Sequence, residues 1–239
     1  MITPDALKAL LMNHQVIPIK FAGQRLLLDG CGVLVWPQKD LLVFSDLHLE
    51  KGSFLTQYAN PVPRFDSKDT LKRMQIMMAR YDCQHVVCLG DSLHDTNALS
   101  RMQNDDLKQL NDLVSSIAQW TWILGNHDPD IPPAIFGERA AYLQLDNLLL
   151  VHEAETLSDF ANAEAQIIGH FHPKSSFKLS SRKVTGKSFV SASDILLMPA
   201  FGKYTGGLDI RDEAFTSLFT RSSAKVYLTY HQKIYLFWT

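Results

Sequence analysis

The chain predicts an α/β fold in which two β-sheets pack on each other and helices flank them. Three observations carry that prediction. Three short apolar runs, Leu41–Phe44, His85–Leu89 and Trp120–Leu124, alternate with stretches of helical periodicity, and each runs into a polar turn. Runs that are apolar at successive positions suit strands buried on both faces. The second half adds nine short strand-like runs with little helical pattern, enough for a second sheet. No internal repeat, low-complexity tract or long linker divides the 239 residues, so residues 1–239 are read as one domain.

Taken in order, residues 3–13 predict a short helix, with Thr3 as N-cap and Pro4 at the first position. Val16–Phe21 and Arg25–Leu28 predict a hairpin around Ala22-Gly23-Gln24. Val33–Trp36 and Leu41–Phe44 predict another around Pro37–Asp40. Gly52–Pro63 is read as a loop with two prolines. Asp66–Arg80 predicts an amphipathic helix with Leu71, Met74, Met78 and Tyr81 near helical spacing. Strand His85–Leu89, a helix over Asn104–Ala118 and strand Trp120–Leu124 follow, a pattern that favours right-handed parallel crossovers. The remaining strands are Tyr142–Leu145, Leu148–Val151, Gln166–Ile168, Phe177–Leu179, Ser188–Val190, Ile195–Met198, Gly207–Ile210, Lys225–Thr229 and Lys233–Phe237. Asp146-Asn147 and His231-Gln232 serve as two-residue turns.

Composition narrows the function classes. A net charge of −2 with 46% hydrophobic residues argues against a global basic field for nucleic acid. Cys31, Cys83 and Cys88 are odd in number and lack metal-knuckle spacing, which fits a reducing, cytoplasmic setting. The N-terminus lacks the basic start and apolar centre of a signal peptide, and no apolar run reaches the length of a membrane span.

The chemistry lies in five turns: Asp46 and His48; Asp91 with His94 and Asp95; Asn126, His127 and Asp128; His152; and His170 with His172. Six of the nine histidines fall in them. Open α/β sheets gather ligands at the C-terminal ends of strands, so these turns are expected to converge. One Asp-x-His alone reads as a surface turn. Five such clusters at strand ends read as a metal site. Two divalent cations need about four or five ligands each, with one shared carboxylate holding them roughly 3.5–4 Å apart. Asp91, ending the middle strand, is expected to be that shared ligand. Asn126 would add an oxygen without a charge. Asp46, Asp91 and a bridging hydroxide would leave the pair about one net positive charge, which suits an anionic phosphate ester. The bridging water, deprotonated near neutral pH, would be the nucleophile for in-line attack on phosphorus.

The motifs DLH, GDSLH, GNHD, VHE and GHFHP stand in the order and spacing of the five blocks of calcineurin-like metallophosphoesterases, so residues 41–173 resemble that family. The resemblance implies a four-layer αββα sandwich. It implies that Asp46, His48, Asp91 and His172 hold one metal and that Asp91, Asn126, His152 and His170 hold the other. Manganese is the first expectation, with iron or zinc as alternatives. His127 would protonate the leaving oxygen, with Asp128 orienting its ring. His94 would contact substrate or act through its neighbours, with a hydrogen-bonded turn histidine as the equal alternative.

DLHLEKG, RFDSKDTL, GDSLHD and PAFGKYTGGLDI give a narrower resemblance, over nearly the whole chain, to ligase-associated DNA-damage-response endonucleases related to the nuclease subunit of SbcCD. That resemblance implies a DNA phosphodiesterase or endonuclease in repair, with a DNA ligase, a DEXH-box helicase and an exonuclease as functional partners and no membrane. The sequence adds a strip without acidic residues that carries Lys174, Lys178, Arg182, Lys183 and Lys187 just after the last histidines. Such a strip could hold a phosphodiester backbone or simply be a solvated strand pair. The alternative functions are a small-molecule phosphatase, cyclic-nucleotide phosphodiesterase or pyrophosphatase, and a non-catalytic scaffold of the same fold. Because every ligand position is filled, the scaffold is disfavoured.

Overall fold

The computed structural model describes residues 1–58, 62–179, 182–215, 217–219 and 223–238. Helix α1 (Pro4–Met12) is capped by Thr3, whose hydroxyl accepts from the Ala6 amide at 3.3 Å. Strands β1 (Val16–Phe21) and β2 (Gln24–Asp29) form the first hairpin. Ala22 and Gly23 turn it with φ of 44° and 81°, left-handed at both positions as a two-residue turn requires. Strands β3 (Leu34–Trp36) and β4 (Leu41–Ser45) pair next, also antiparallel.

Helices α2 (Lys51–Tyr58) and α3 (Asp66–Tyr81) then lead to β5 (His85–Leu89). Helices α4 (Ala98–Arg101) and α5 (Asn104–Ser115) lead to β6 (Gln119–Ile123). β4, β5 and β6 are parallel, with Phe44 opposite Cys88 and Cys88 opposite Trp122, and the short β7 (Glu138–Ala140) adds a parallel edge. The strand order in this first sheet follows the sequence, β1 to β7.

The second sheet is built from β8 (Tyr142–Leu145), β9 (Leu148–Val151), β10 (Ala165–Ile168), β11 (Lys174–Leu179), β12 (Arg182–Ser191), β13 (Ile195–Leu197), β14 (Lys225–Tyr230) and β15 (Lys233–Trp238). Its order is β15-β14-β12-β13-β10-β9-β8, with β11 hydrogen-bonded to β12. β10 runs parallel to both β9 and β13. Both sheets are therefore mixed, and they are the two sheets that the sequence predicts.

Alternation of side chains explains the apolar runs. Leu41 and Val43 join the core between the sheets, against Leu150, Ile167 and Phe189. Leu42 and Phe44 point the other way, into the layer formed with Leu71, Met74 and Tyr81 of α3 and Leu110 and Leu113 of α5. The outer face of the second sheet is covered by 3₁₀ turns at Leu157–Asp159 and Glu213–Phe215 and by Ile210 and Phe215, so that layer is thinner. Among the described residues no helix is long and apolar enough to cross a membrane.

Three local expectations are corrected, and two short elements were not foreseen. Gly52–Pro63 was expected to be a loop, but residues 51–58 are helix α2; the rest of that stretch includes residues 59–61, which lie outside the described residues. The first turn of α2 is set by tertiary contacts, with the Glu50 amide donating to Ser67 Oγ and the Gly52 amide to Asp66 Oδ2, each at 2.8 Å. Such anchoring leaves no apolar period in the sequence. Gly207–Ile210 is not a strand; it makes a single bridge, Asp209 to Lys174. The Asp209 carboxylate then bonds the Arg211 amide and turns the chain away. The helix expected over Asn104–Ala118 ends at Ser115. The short elements α4 and β7 had no signal long enough to read.

Candidate metal centre

The polar turns emerge where strands end. Asp46 and His48 follow β4, Asp91 follows β5, Asn126 and His127 follow β6, His152 follows β9, and His170 and His172 follow β10. The two sheets bring them to one rim. The Gly169 amide donates to the His152 carbonyl at 3.1 Å, and the His170 amide donates to Asp46 Oδ1 at 3.1 Å. Asp46, His48, Asp91, His170 and His172 all have positive φ, between 45° and 65°. Asp and His tolerate this region better than most residues, and its concentration at one site is the local strain expected where side chains are aimed at a common point. Two glycines make the convergence possible. A Cβ at Gly90 would strike the His152 ring, and one at Gly169 would strike Ser45 and Asp46.

The side chains form two clusters that share Asp91. In the first, His172 Nε2 lies 3.1 Å from Asp46 Oδ1, and His48 Nε2 lies 3.2 Å from His172 Nε2 and 3.6 Å from Asp91 Oδ2. In the second, His152 Nε2 lies 3.3 Å from Asp91 Oδ1, and Asn126 Oδ1 is 3.1 Å from both His152 Nε2 and His170 Nδ1. Within each of the groups Asp46/His48/Asp91/His172 and Asp91/His152/His170, the facing ligand atoms all lie within 4.8 Å of one another. His48, His94 and His127 form a third such group.

This donor set fits divalent cations. His48 and His172 face each other nitrogen to nitrogen, an arrangement in which one proton can serve only one of the two rings. His152 directs Nδ1 to the Leu89 carbonyl at 3.1 Å, which leaves Nε2 to face the cluster. Imidazole, carboxylate and amide oxygen together suit manganese, iron or zinc.

Electrostatics support the same picture. Burial lowers His48 to about 3, against the opposing pull of Asp46, so its ring is neutral and ready to ligate. Burial and the nearby charge of Lys51 lower His94 to about 4. For Asp46, burial acts upward but is outweighed by the hydrogen bond and charge of His172, and the carboxyl lies below its ordinary range. Burial likewise opposes the His152 bond that holds Asp91 well below its ordinary range.

His127 directs Nδ1 to the His94 carbonyl at 2.7 Å, which leaves Nε2 4.0 Å from Asp91 Oδ2. The ring stacks on that of His94 at 5.3 Å and 20°. The orienting group is therefore a backbone carbonyl and not Asp128, which corrects the expected role of that carboxylate. Asp128 is fully buried and accepts from the amides of Ser92 (2.7 Å), Leu93 (2.9 Å) and Gly125 (3.0 Å). It ties the loop after β5 to the loop after β6, and burial raises it to about 6. His94 also approaches His48, Nδ1 to Nδ1, at 3.4 Å, and Phe54 of α2 closes on its ring at 4.7 Å.

The cationic strip lies on the β11–β12 hairpin, where Lys174 pairs with Lys187 and Lys178 with Lys183. Lys178 and Lys183 are exposed and Lys174 is half-buried. Lys187 departs from the expected strip, because its amine is taken up by the carbonyls of Ala200 (2.6 Å) and Gly202 (2.8 Å). Arg182 begins β12, and its side chain lies outside the described residues. The sequence reading missed Arg73, which bonds the Phe201 carbonyl at 2.7 Å beside Lys187. The one available signal was Lys187 itself, a lysine beside an otherwise buried strand segment.

The calcineurin-like phosphoesterase family model matches residues 40–199. Among solved structures, the chain is similar to the nuclease MPE of Pseudomonas putida, with 24% identity over 93% of this chain and 100% of that one and a TM-score of 0.71. It has more distant likenesses to YfcE, a phosphoesterase from E. coli (14% identity, 82% and 97% covered, TM-score 0.38), and to Vps29 of Entamoeba histolytica complexed with zinc (14%, 83% and 97%, 0.36). No curated protein matches the chain at a significant level.

Proposed function

The chain belongs to the calcineurin-like phosphoesterase family, and from that premise we propose that it is a dinuclear-metal DNA phosphodiesterase, an endonuclease acting in DNA repair. The observation that carries the proposal is the pair of ligand clusters meeting at Asp91. Asp46, His48, Asp91 and His172 would hold one cation; Asp91, Asn126, His152 and His170 would hold the other. A bound pair supplies charge stabilisation for the phosphoryl oxygens and an activated water at neutral pH.

The chain's own groups do the rest. His127 keeps Nδ1 on the His94 carbonyl and holds Nε2 at the centre, 4.0 Å from Asp91 Oδ2, from where it could hand a proton to a leaving alkoxide. His94 packs against both His127 and His48, where it holds the acid in place. With two carboxylates against two divalent ions the centre stays cationic, which favours an anionic ester. The exposed Lys178 and Lys183 pair further along the β11–β12 hairpin that follows His172, where they offer a charged track to a long strand. The similarity to the P. putida nuclease MPE supports the polynucleotide assignment. Through their resemblance to ligase-associated endonucleases, the DLHLEKG and PAFGKYTGGLDI motifs support a DNA ligase, a DEXH-box helicase and an exonuclease as functional partners, while the cysteine usage supports a cytoplasmic setting and the donor set admits manganese as the working metal.

The test is hydrolysis of bis(p-nitrophenyl) phosphate against the monoester, together with nicking of plasmid and cleavage of single strands, each with added manganese. Diester preference and salt-sensitive nicking are expected. Preference for monoesters or nucleotide diphosphates, with plasmid left intact, would overturn the nuclease assignment in favour of a small-molecule phosphatase.

A further inference from the structure

The rim that carries the ligand loops also carries a second cleft. β3 runs antiparallel to β4 with Leu34 opposite Val43, so the β2–β3 turn lies at the end of the sheet where β4 delivers Asp46. A cleft of about 370 Å³ opens there between that turn, Arg73 and Arg80 of α3, Lys187 of β12 and Phe201.

Residues 200–202 form the wall between cleft and ligand loops. Towards the loops, the Phe201 and Gly202 amides donate to the carbonyls of Ser45 (2.7 Å) and Asp46 (3.0 Å). On the opposite side, Lys187 and Arg73 bind all three carbonyls of Ala200, Phe201 and Gly202, and the Arg73 guanidinium lies 4.4 Å from the centre of the Phe201 ring. Neighbouring extended segments lie roughly 5 Å apart, so the cleft is on the order of 10 Å from the Asp46 loop.

The cleft is chemically distinct. Three cationic side chains line it and, among the described residues, no acidic one does, in a chain whose net charge is −2. The neighbouring acids stand behind the cations. Buried Asp29 accepts from Arg80 Nη1 at 2.8 Å, and Asp69 lies 3.3 Å from Arg73 Nε. That Nε is buried and, apart from its ion pair with Asp69, makes no aligned hydrogen bond. Lys187 has used two of its three N–H groups. Burial, and then the charges of Arg73 and Lys174, pull its amine down to about 7, a cost that an anion would relieve.

We propose that the Arg73–Arg80–Lys187 cleft takes a phosphate of the substrate strand a few nucleotides from the scissile bond. The polynucleotide is then gripped at two points on one rim. The proposal rests on the polynucleotide reading above and names a contact which that reading does not contain. Guanidinium forks bind phosphate oxygens in pairs, and a strand crossing the 200–202 wall would reach both places.

Ile76, 48% exposed on the lip of the cleft, provides the test without disturbing any bond described here. Manganese-loaded full-length protein carrying Ile76→Glu or Ile76→Lys would be assayed on bis(p-nitrophenyl) phosphate, a dinucleotide and a strand of about a dozen nucleotides. Ile76→Glu is expected to raise KM for the long strand roughly tenfold at low salt, and Ile76→Lys to lower it, with the small diesters unchanged. Equal changes on every substrate, or none on the long strand while the wild type cuts it, would overturn the cleft proposal alone. A wild type that hydrolyses the small diester but cuts no oligonucleotide would remove the polynucleotide reading and the proposal with it. Inorganic phosphate at millimolar concentration supplies the last arm. If it alters small-diester hydrolysis by the wild type but not by Ile76→Glu, and long-strand KM is indifferent to Ile76, the cleft holds a free anion and the strand contact is overturned.

Discussion

The two ligand clusters share Asp91 but differ in depth. In the first, the side chains of Asp46, His48, Asp91 and His172 are 0, 2, 3 and 14% exposed. In the second, His152 is equally deep at 3%, yet His170 is 32% exposed and Asn126 lies at the surface. His127, at 41%, stands on the open side. The contrast separates two tasks. A cation sunk among buried ligands would act as part of the fold, holding loops that otherwise point bare donors at one another. A cation in the open cluster is the one that substrate can reach, beside the group that would give up the proton. Asp91 makes the two tasks inseparable.

The strongest way to break that contrast is Asp91→Asn. It keeps the shape and removes the charge common to both clusters. The variant is expected to lose both metals and fall to background turnover, read by metal analysis and bis(p-nitrophenyl) phosphate hydrolysis. Retention of one metal per chain would mean that the clusters are independent. Next comes His127→Ala, which should leave the metal count untouched and lower kcat by roughly two to four powers of ten, most for poor leaving groups. Full activity on poor leaving groups would remove His127 as the acid. Smaller again is Asn126→Ala. It should weaken the open cluster's metal by about 10–100-fold and leave the deep one in place, which two-step metal titration would resolve.

How much of this was legible depends on where each signal is stored. The apolar run Leu41–Phe44 reads as a doubly buried strand because alternate residues enter two different cores. The glycines before Asp91 and His170 are visible in sequence because the crowded rim leaves no room for a Cβ there. The candidate ligands stand in local motifs of the same kind, and the chain brings them to one rim. Helix α2 was not legible, since its first turn is fixed by Asp66, fourteen residues away. Nor was the part played by Asp128, whose acceptor bonds run to amides 35 and 36 residues back. Spacing within a motif reports what a local turn can do. It does not report which distant amide a carboxylate will meet, nor that the Lys187 amine will turn to the carbonyls of Ala200 and Gly202.

The mildest probe of the contrast is pH. Burial acts to lower His152, but its bond to Asp91 and the charges of Asp46 and Asp91 outweigh burial and raise it from 6.5 to about 9 in the metal-free protein. A raised histidine stabilises the metal-free fold while protonated. That contribution is complete below about pH 6.5 and is lost as pH rises through about 9. A cation entering the open cluster must expel this proton, so its affinity there should climb about tenfold for each pH unit up to about 9 and then level off. His48, lowered to about 3 by burial, has no proton to lose at neutral pH, so it adds no such dependence to the deep cluster. Manganese titration of metal-free protein at about pH 7 and about pH 8, in buffers of different ionisation enthalpy, reads both effects. The open site should release close to one proton and tighten with pH, and the deep site should tighten less steeply. If both tighten alike, depth does not distinguish them, and the division between a cation that holds the loops and one that meets the substrate falls.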